Sequence, residues 1–182
     1  VVKRFFDILI SVIGLILTSW VFVLTAIAIK MEDGGQVFYK QDRCTKDGKV
    51  FSILKFRSMV EHVEKSDFHI TEYGDDRITK VGHFIRRFKI DELPQLINIL
   101  MGDMSIVGPR PERPELIEEI VQSIPEYRFR TTVKAGLTGY AQVHGDYHTD
   151  FLEKLRWDMI YIENYSLLLD LKIVLMTVPT LI

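Results

Sequence analysis

Between positions 8 and 29 the chain carries no charged side chain, an uninterrupted run of 22 residues. As a helix this run would reach about 33 Å, close to the hydrocarbon thickness of a bilayer. A membrane segment is therefore expected, ahead of a buried core helix in a soluble domain. A removable signal sequence fits less well, because no small-residue cleavage site in a polar context follows. Basic residues flank both ends: Lys3 and Arg4 before the run, and Lys30, Lys40, Arg43 and Lys46 after it. The positive-inside rule then gives no single orientation. Such symmetry suits a re-entrant helix with both ends on one side of the bilayer, whereas a single span would show a lopsided pattern. Thr18 and Ser19 can bond back to backbone carbonyls and bend the helix, and Gly14 loosens the turn before them.

Behind this anchor, assigned to residues 1–30, residues 31–182 form one further unit: long enough for a core and too short for two sizeable domains. Charged residues make up 26% and hydrophobic ones 47%, which excludes a disordered chain. The net charge of −2 gives no general attraction to nucleic acid, so anion binding has to be local. A single cysteine, Cys44, rules out an intramolecular disulfide and cannot build a zinc site alone; packing is its expected role. The chain opens on Val1, which leaves room for segments ahead of it.

Residues 37–41 and 49–56 read as two short strands joined by a turn at Asp47 and Gly48, a β-hairpin with Lys55 and Arg57 at its end. Residues 61–76 are polar and without strong period, a candidate lid. Ile78, Val81, Phe84, Ile85 and Phe88 then fall at helical spacing, with Lys80, Arg86, Arg87 and Lys89 on other faces. A basic amphipathic helix suits a membrane surface or an anionic ligand, and equally a solvated face. Residues 114–123 predict an acidic helix, residues 134–143 a glycine-containing loop leading into an extended piece, and residues 151–165 another helix. The last run, residues 167–182, is apolar but broken by Asp170, Lys172 and Pro179, and is expected to lie along an interface with Asp170 and Lys172 facing water.

Chemistry concentrates in two segments, Ile90-Asp91-Glu92-Leu93-Pro94-Gln95 and Gly108-Pro109-Arg110-Pro111. Asp91 suits a helix N-cap, with Glu92 and Pro94 in the first turn. That is a complete structural explanation, and capping pairs of this kind are common. The neighbourhood adds a second one: a helix start favours phosphate, carboxylates hold a divalent cation, and Arg110, held between two prolines, can grip phosphate oxygens in a fork. Alternatively Arg110 pairs with Asp103. Five histidines show no zinc spacing beyond His144 and His148. An Asp-x-Asp pair after a buried strand, a Walker loop and a dinucleotide glycine fingerprint are all absent.

Together these motifs resemble the bacterial sugar transferases, monotopic phosphoglycosyl transferases that move a phospho-sugar from a nucleotide onto a polyprenol phosphate. The resemblance runs from Lys3-Arg4-Phe5-Phe6-Asp7 through Lys55-Phe56-Arg57-Ser58-Met59 and Ala141-Gln142-Val143 to Leu169-Asp170-Leu171-Lys172. It implies an α+β fold with an N-terminal re-entrant membrane helix, a small β-hairpin and amphipathic interfacial helices around a compact catalytic core. It further implies a UDP-sugar donor, a polyprenyl phosphate acceptor, Mg²⁺ as cofactor, contact with membrane lipid, and a place on the cytoplasmic face of the bacterial inner membrane. Asp91 would be the nucleophile and touch the metal, and Glu92 would be a general base or a metal partner. Arg110, Lys55, Arg57, Arg86 and Gln142 would bind phosphate or substrate. A homo-oligomer is compatible with the sequence but not specified by it. Three positions depart from the family pattern: Trp20 replaces a helix-breaking proline, Thr45 a glycine, and Asp146 an arginine, with Tyr147 or His148 as possible substitutes. Those departures would also suit the alternative, a membrane scaffold that has lost catalysis.

Overall fold

The computed structural model describes residues 1–60, 77–145 and 149–180, so the candidate lid at 61–76 and residues Asp146, Tyr147 and His148 lie outside it. A long helix, α1 (Val2–Asp33), comes first, followed by an antiparallel hairpin of β1 (Phe38–Cys44) and β2 (Val50–Phe56). Asp47 and Gly48 both take positive φ in the turn, as the Asp-Gly signal requires. Then come α2 (Lys80–Arg87), α3 (Gln95–Met101), β3 (Ser105–Val107), α4 (Pro114–Ser123), β4 (Gly136–Thr138), α5 (Tyr140–His144), α6 (Phe151–Glu163) and α7 (Leu167–Thr180). β3 and β4 pair in parallel as a second two-stranded sheet.

The main core joins both sheets to three helices: Phe51 and Ile53 from β2, Leu96 and Ile99 from α3, Ile106 and Val107 from β3, Tyr161 from α6 and Ile173 from α7. Asn98, fully buried on α3, fastens the hairpin to this core. Its amide oxygen accepts from Leu54 N and its amide nitrogen donates to Ser52 O, both at 2.9 Å, so a side chain does on this edge of β2 what a third strand would do. Thr45 does similar work at the end of β1, donating to Asp103 O and accepting from Ala135 N. Its backbone is extended, so no glycine is needed there. Cys44 is buried, in keeping with a packing role.

α1 is amphipathic in the inverted sense. Three of its four buried residues are polar, Asp7, Ser11 and Thr25, with Ile29 the fourth. Leu9, Ile13, Ile16, Leu17, Trp20, Val23, Leu24 and Ile27 are all exposed. In water that arrangement would leave a large apolar stripe uncovered, whereas against lipid it is favourable. α7 repeats the pattern with Leu168, Leu171, Leu175 and Val178 exposed. Here the expectation for Asp170 fails: it is buried and faces inward, because Lys3 and the Tyr161 hydroxyl wait there to bind it. Lys172 is exposed as expected.

Both ends of α1 are tied to the same body. At the start, Lys3 pairs with Asp170 at 2.6 Å, and Arg4 donates to the Ile99 and Leu100 carbonyls at the end of α3. At the finish, Asp33 pairs with Arg57, and Glu32 accepts from the amides of Lys80 and Val81 at the start of α2. Between them Phe22 packs edge-on against Phe56. α1 runs without a break through Thr18, Ser19 and Trp20. The two hydroxyls do bond back, to Gly14 O and Ile16 O, but Trp20 retains the amide proton that proline would lack, and the helix continues.

Candidate active site

α2 is capped at its start by the Thr79 hydroxyl, which accepts from Gly82 N. Past its end Lys89 adopts a left-handed conformation (φ 55°), which swings the chain into a single 3-10 turn, Ile90–Glu92. The N-cap expected of Asp91 is therefore not made: Pro94 precedes the first residue of α3, and Asp91 sits one turn earlier with its side chain directed into the protein. One of its carboxylate oxygens, Oδ1, is buried and has no hydrogen-bond partner among the described residues. Burial pushes the Asp91 carboxyl above the usual range; Lys55 opposes this, Glu92 adds to it, and Arg86 and Lys89 oppose it more weakly.

Glu92 is placed oppositely. Its Oε1 accepts from Lys55 Nζ at 2.8 Å and from Arg110 at 2.7 Å. Burial alone would raise its pKa, but Arg110 and Lys55 together hold the carboxyl well below the usual range. Lys55 is itself lowered, chiefly by burial, with Glu92 opposing and Arg110 adding to the effect. Three of the residues singled out in the sequence thus meet at one oxygen atom, contributed by β2, the 3-10 turn and the loop after β3. The alternative pairing of Arg110 with Asp103 is not made; Asp103 faces Lys49 instead.

The Arg110 loop is gripped from several sides. Arg43 donates to Pro111 O at 3.1 Å, Cys44 N to Glu112 O, and Gly136 N to Pro109 O. Gly108 has no room for a side chain, since a Cβ there would meet Lys134 O at 2.3 Å. Behind the loop a buried pair, Arg130 and Asp158, is joined by two hydrogen bonds of 3.0 and 2.7 Å, with the Tyr127 hydroxyl accepting a third from Arg130. A shallow depression beside Arg110 is lined by Cys44, Glu112 and Arg130 among others.

Of the remaining candidates, Arg86 is close enough to influence Asp91 electrostatically. Arg57 follows β2 but is drawn to Asp33 at the end of α1, which gives it a fastening role. Gln142 lies on α5, next to Gly139 and the Gly108 carbonyl, and both polar atoms of its amide are buried without a partner. Gln95, the first residue of α3 and part of the same motif as Asp91, is buried, with an amide nitrogen that lacks a partner among the described residues.

Among the described residues no three His, Cys, Asp or Glu side chains cluster as a complete metal cage. The donor set nevertheless fits Mg²⁺, which is commonly held by one or two carboxylates together with substrate phosphates and water. The Asp91 oxygen, which has no partner among the described residues, would offer one such ligand; Glu92 Oε1 is already engaged by two cations.

A sequence profile of the bacterial sugar transferases matches residues 1–182. The chain belongs to the bacterial sugar transferase family. Within it, the chain is 42% identical to a UDP-N-acetylgalactosamine-undecaprenyl-phosphate N-acetylgalactosaminephosphotransferase of Aeromonas hydrophila, over all of this chain and 44% of that protein. It is 44% identical to a UDP-glucose:undecaprenyl-phosphate glucose-1-phosphate transferase of Escherichia coli K12, over 97% of this chain and 39% of that protein. A Caulobacter vibrioides transferase of the same description is 42% identical, over 99% of this chain and 69% of that protein. The chain thus spans less than half the length of the first two relatives.

Proposed function

We propose that this sugar transferase moves a sugar 1-phosphate from a UDP-sugar onto a polyprenyl phosphate at the cytoplasmic face of the bacterial inner membrane, the initiating step of exopolysaccharide or related glycoconjugate synthesis. The observation that supports this best is the buried, unpartnered Asp91 oxygen beside Lys55, Arg86 and the Glu92–Arg110 pair. An anionic nucleophile next to a cluster of cations is the arrangement that attack on a diphosphate needs. The names of the relatives supply the classes of donor and acceptor.

In this reading the Asp91 oxygen attacks the β-phosphorus of the donor. The bond from that phosphorus to the bridging oxygen breaks, UMP leaves with the electron pair, and the phospho-sugar remains on Asp91 as an acyl phosphate. An oxygen of polyprenyl phosphate then attacks the same phosphorus, restoring the Asp91 carboxylate and giving polyprenyl-diphosphate-sugar. Arg110 supplies a guanidinium fork and Lys55 a point charge to the donor's phosphates, and both exchange their bonds to Glu92 for bonds to phosphate as it arrives. Glu92 serves as the counter-ion that holds these cations ready; its doubly paired oxygen makes it a poor base until they leave. Mg²⁺, held by Asp91 and the donor diphosphate, would neutralise phosphate charge.

For the membrane, we infer that α1 dips into one leaflet and does not cross the bilayer. A 32-residue helix is about 48 Å long, yet both of its ends are bound to one charged body that has no place in hydrocarbon. Assay of the purified protein with Mg²⁺, undecaprenyl phosphate and UDP-glucose or UDP-N-acetylgalactosamine tests the function. UMP and a lipid-linked sugar should appear together. Absence of both with every UDP-sugar, from protein with a cooperative melting transition, would favour the non-catalytic scaffold.

A further inference from the structure

β3 is only three residues long, and Arg110 follows it by three positions. One side of this segment is bound to β4 and its flanks, through Ser105 N to Ala135 O and Gly108 N to Thr138 O, each at 2.9 Å. Two further backbone groups of the segment, Ile106 N and Val107 O, are bound by side chains of α1, and Val107 O also accepts from the Tyr161 hydroxyl of α6 at 3.2 Å. Asp7 Oδ1 accepts from both Ile106 N and the Ser105 hydroxyl, each at 2.9 Å, and Lys3 Nζ donates to Val107 O at 3.1 Å. Lys3 is held in turn by Asp170, whose other oxygen accepts from the Tyr161 hydroxyl at 2.8 Å.

Anchoring alone does not call for these charges. Asp7 is 4% exposed just ahead of the uncharged run of α1, and apolar side chains of similar size would fill its place without the cost of desolvating a carboxylate. A carboxylate adds direction: two donors converging on one oxygen fix the position of a backbone amide, as apolar contact does not. We propose that Lys3 and Asp7 are positioning residues for Arg110, acting through β3, so that the start of the membrane helix sets where the phosphate-binding guanidinium stands. This rests on the reading of Arg110 as a ligand of the donor diphosphate.

The test measures binding of UDP, in the presence of Mg²⁺, to the full chain in lipid nanodiscs, which needs no knowledge of the sugar. Arg110→Ala should weaken UDP binding by about tenfold or more, as loss of a charged hydrogen-bond donor does. Asp7→Leu should weaken it by about fivefold or more, while Asp7→Asn, which keeps the acceptor oxygen, should stay within about twofold of wild type. In the Arg110→Ala background Asp7→Leu should have almost no further effect, because the group it acts through is gone. Ser105→Ala, a smaller change on the strand side, should follow the same pattern at about twofold and carries the test if Asp7→Leu does not fold. Equal losses in both backgrounds would overturn the proposal and leave Asp7 a purely structural residue, as would undiminished binding in Asp7→Leu or Ser105→Ala. Unchanged UDP binding in Arg110→Ala would instead overturn the reading of Arg110 itself.

Discussion

Two ionic clusters lie on the two sides of the Arg110 loop, and they are built to different ends. In the first, Lys3, Asp7, Asp170 and Tyr161 bind one another and the β3 backbone, and none of them has a buried polar atom left without a partner. In the second, Glu92 is satisfied by Lys55 and Arg110, while Asp91 beside it keeps a buried oxygen that nothing binds. Leaving such an atom unpaired costs on the order of 1–3 kcal/mol, a cost the first cluster avoids by closing its bonds around the β3 backbone and the second bears at Asp91. The difference also appears within a single dipeptide. Burial raises the Asp91 carboxyl, whereas two cations bring Glu92 down against the same influence.

The comparison breaks most readily at Asp91. Asp91→Asn should lower turnover by about 10⁴-fold or more, as loss of a nucleophile does. The same change should raise the melting temperature by about 2–4 °C, since it removes a carboxylate that burial disfavours. The sign follows from linkage. A carboxyl whose folded pKa is raised contributes stability only while protonated, fully below its unfolded value near 3.8, and loses that contribution as pH rises through the folded value. At neutral pH its charge is therefore a burden. Glu92→Gln should do the reverse and lower the melting temperature at neutral pH, because a lowered carboxyl contributes stability above its unfolded value near 4.5. A lower melting temperature in Asp91→Asn would show that the oxygen is not an orphan.

In the closed cluster the expected effect falls on stability. Lys3→Met leaves Asp170 buried without its cation and should cost about 3–5 kcal/mol, whereas Lys3→Met combined with Asp170→Leu should cost less than the single change. Urea unfolding in detergent distinguishes the two results. Additive losses would mean that the pair is not a coupled unit. A smaller effect is expected in the pH profile. In the proposed mechanism the ionised Asp91 is the reactive form, so the acid limb of turnover should lie above the ordinary carboxylate value of 3.8. The alkaline limb should lie below 10.5, because burial lowers Lys55. The mildest change is Trp20→Ser on the outward face of α1. It should leave core stability within about 0.5 kcal/mol of wild type while shifting some protein into the carbonate-soluble fraction.

Much of this was legible in the sequence because it was local. The uncharged run, the Asp-Gly turn and the acidic helical stretch at residues 114–123 each fix an element without reference to the rest, and α1, the hairpin and α4 form as expected. The convergence of Lys55, Glu92 and Arg110 came only from the resemblance, since no spacing rule joins residues so far apart in the chain. What escaped was set by tertiary partners. Asp170 was assigned to water because an isolated carboxylate in an apolar helix has nowhere else to go; Lys3, 167 positions earlier, supplies the partner. Asp91 matched the pattern of an N-cap, but the left-handed Lys89 inserts a 3-10 turn and takes its side chain inward. The pairing of Arg57 with Asp33 at the end of α1 likewise joins residues that no local pattern connects.

A carboxylate oxygen of Asp91 is the proposed acceptor of the phospho-sugar. Intact-mass and peptide mass spectrometry of the full chain, incubated with Mg²⁺ and a panel of UDP-sugars without acceptor, tests this directly. A phospho-sugar adduct should appear on the peptide that carries Asp91 and be absent from Asp91→Asn. UMP release with no adduct at any time point, or an adduct that persists in Asp91→Asn, would contradict it and reduce Asp91 to a binding residue.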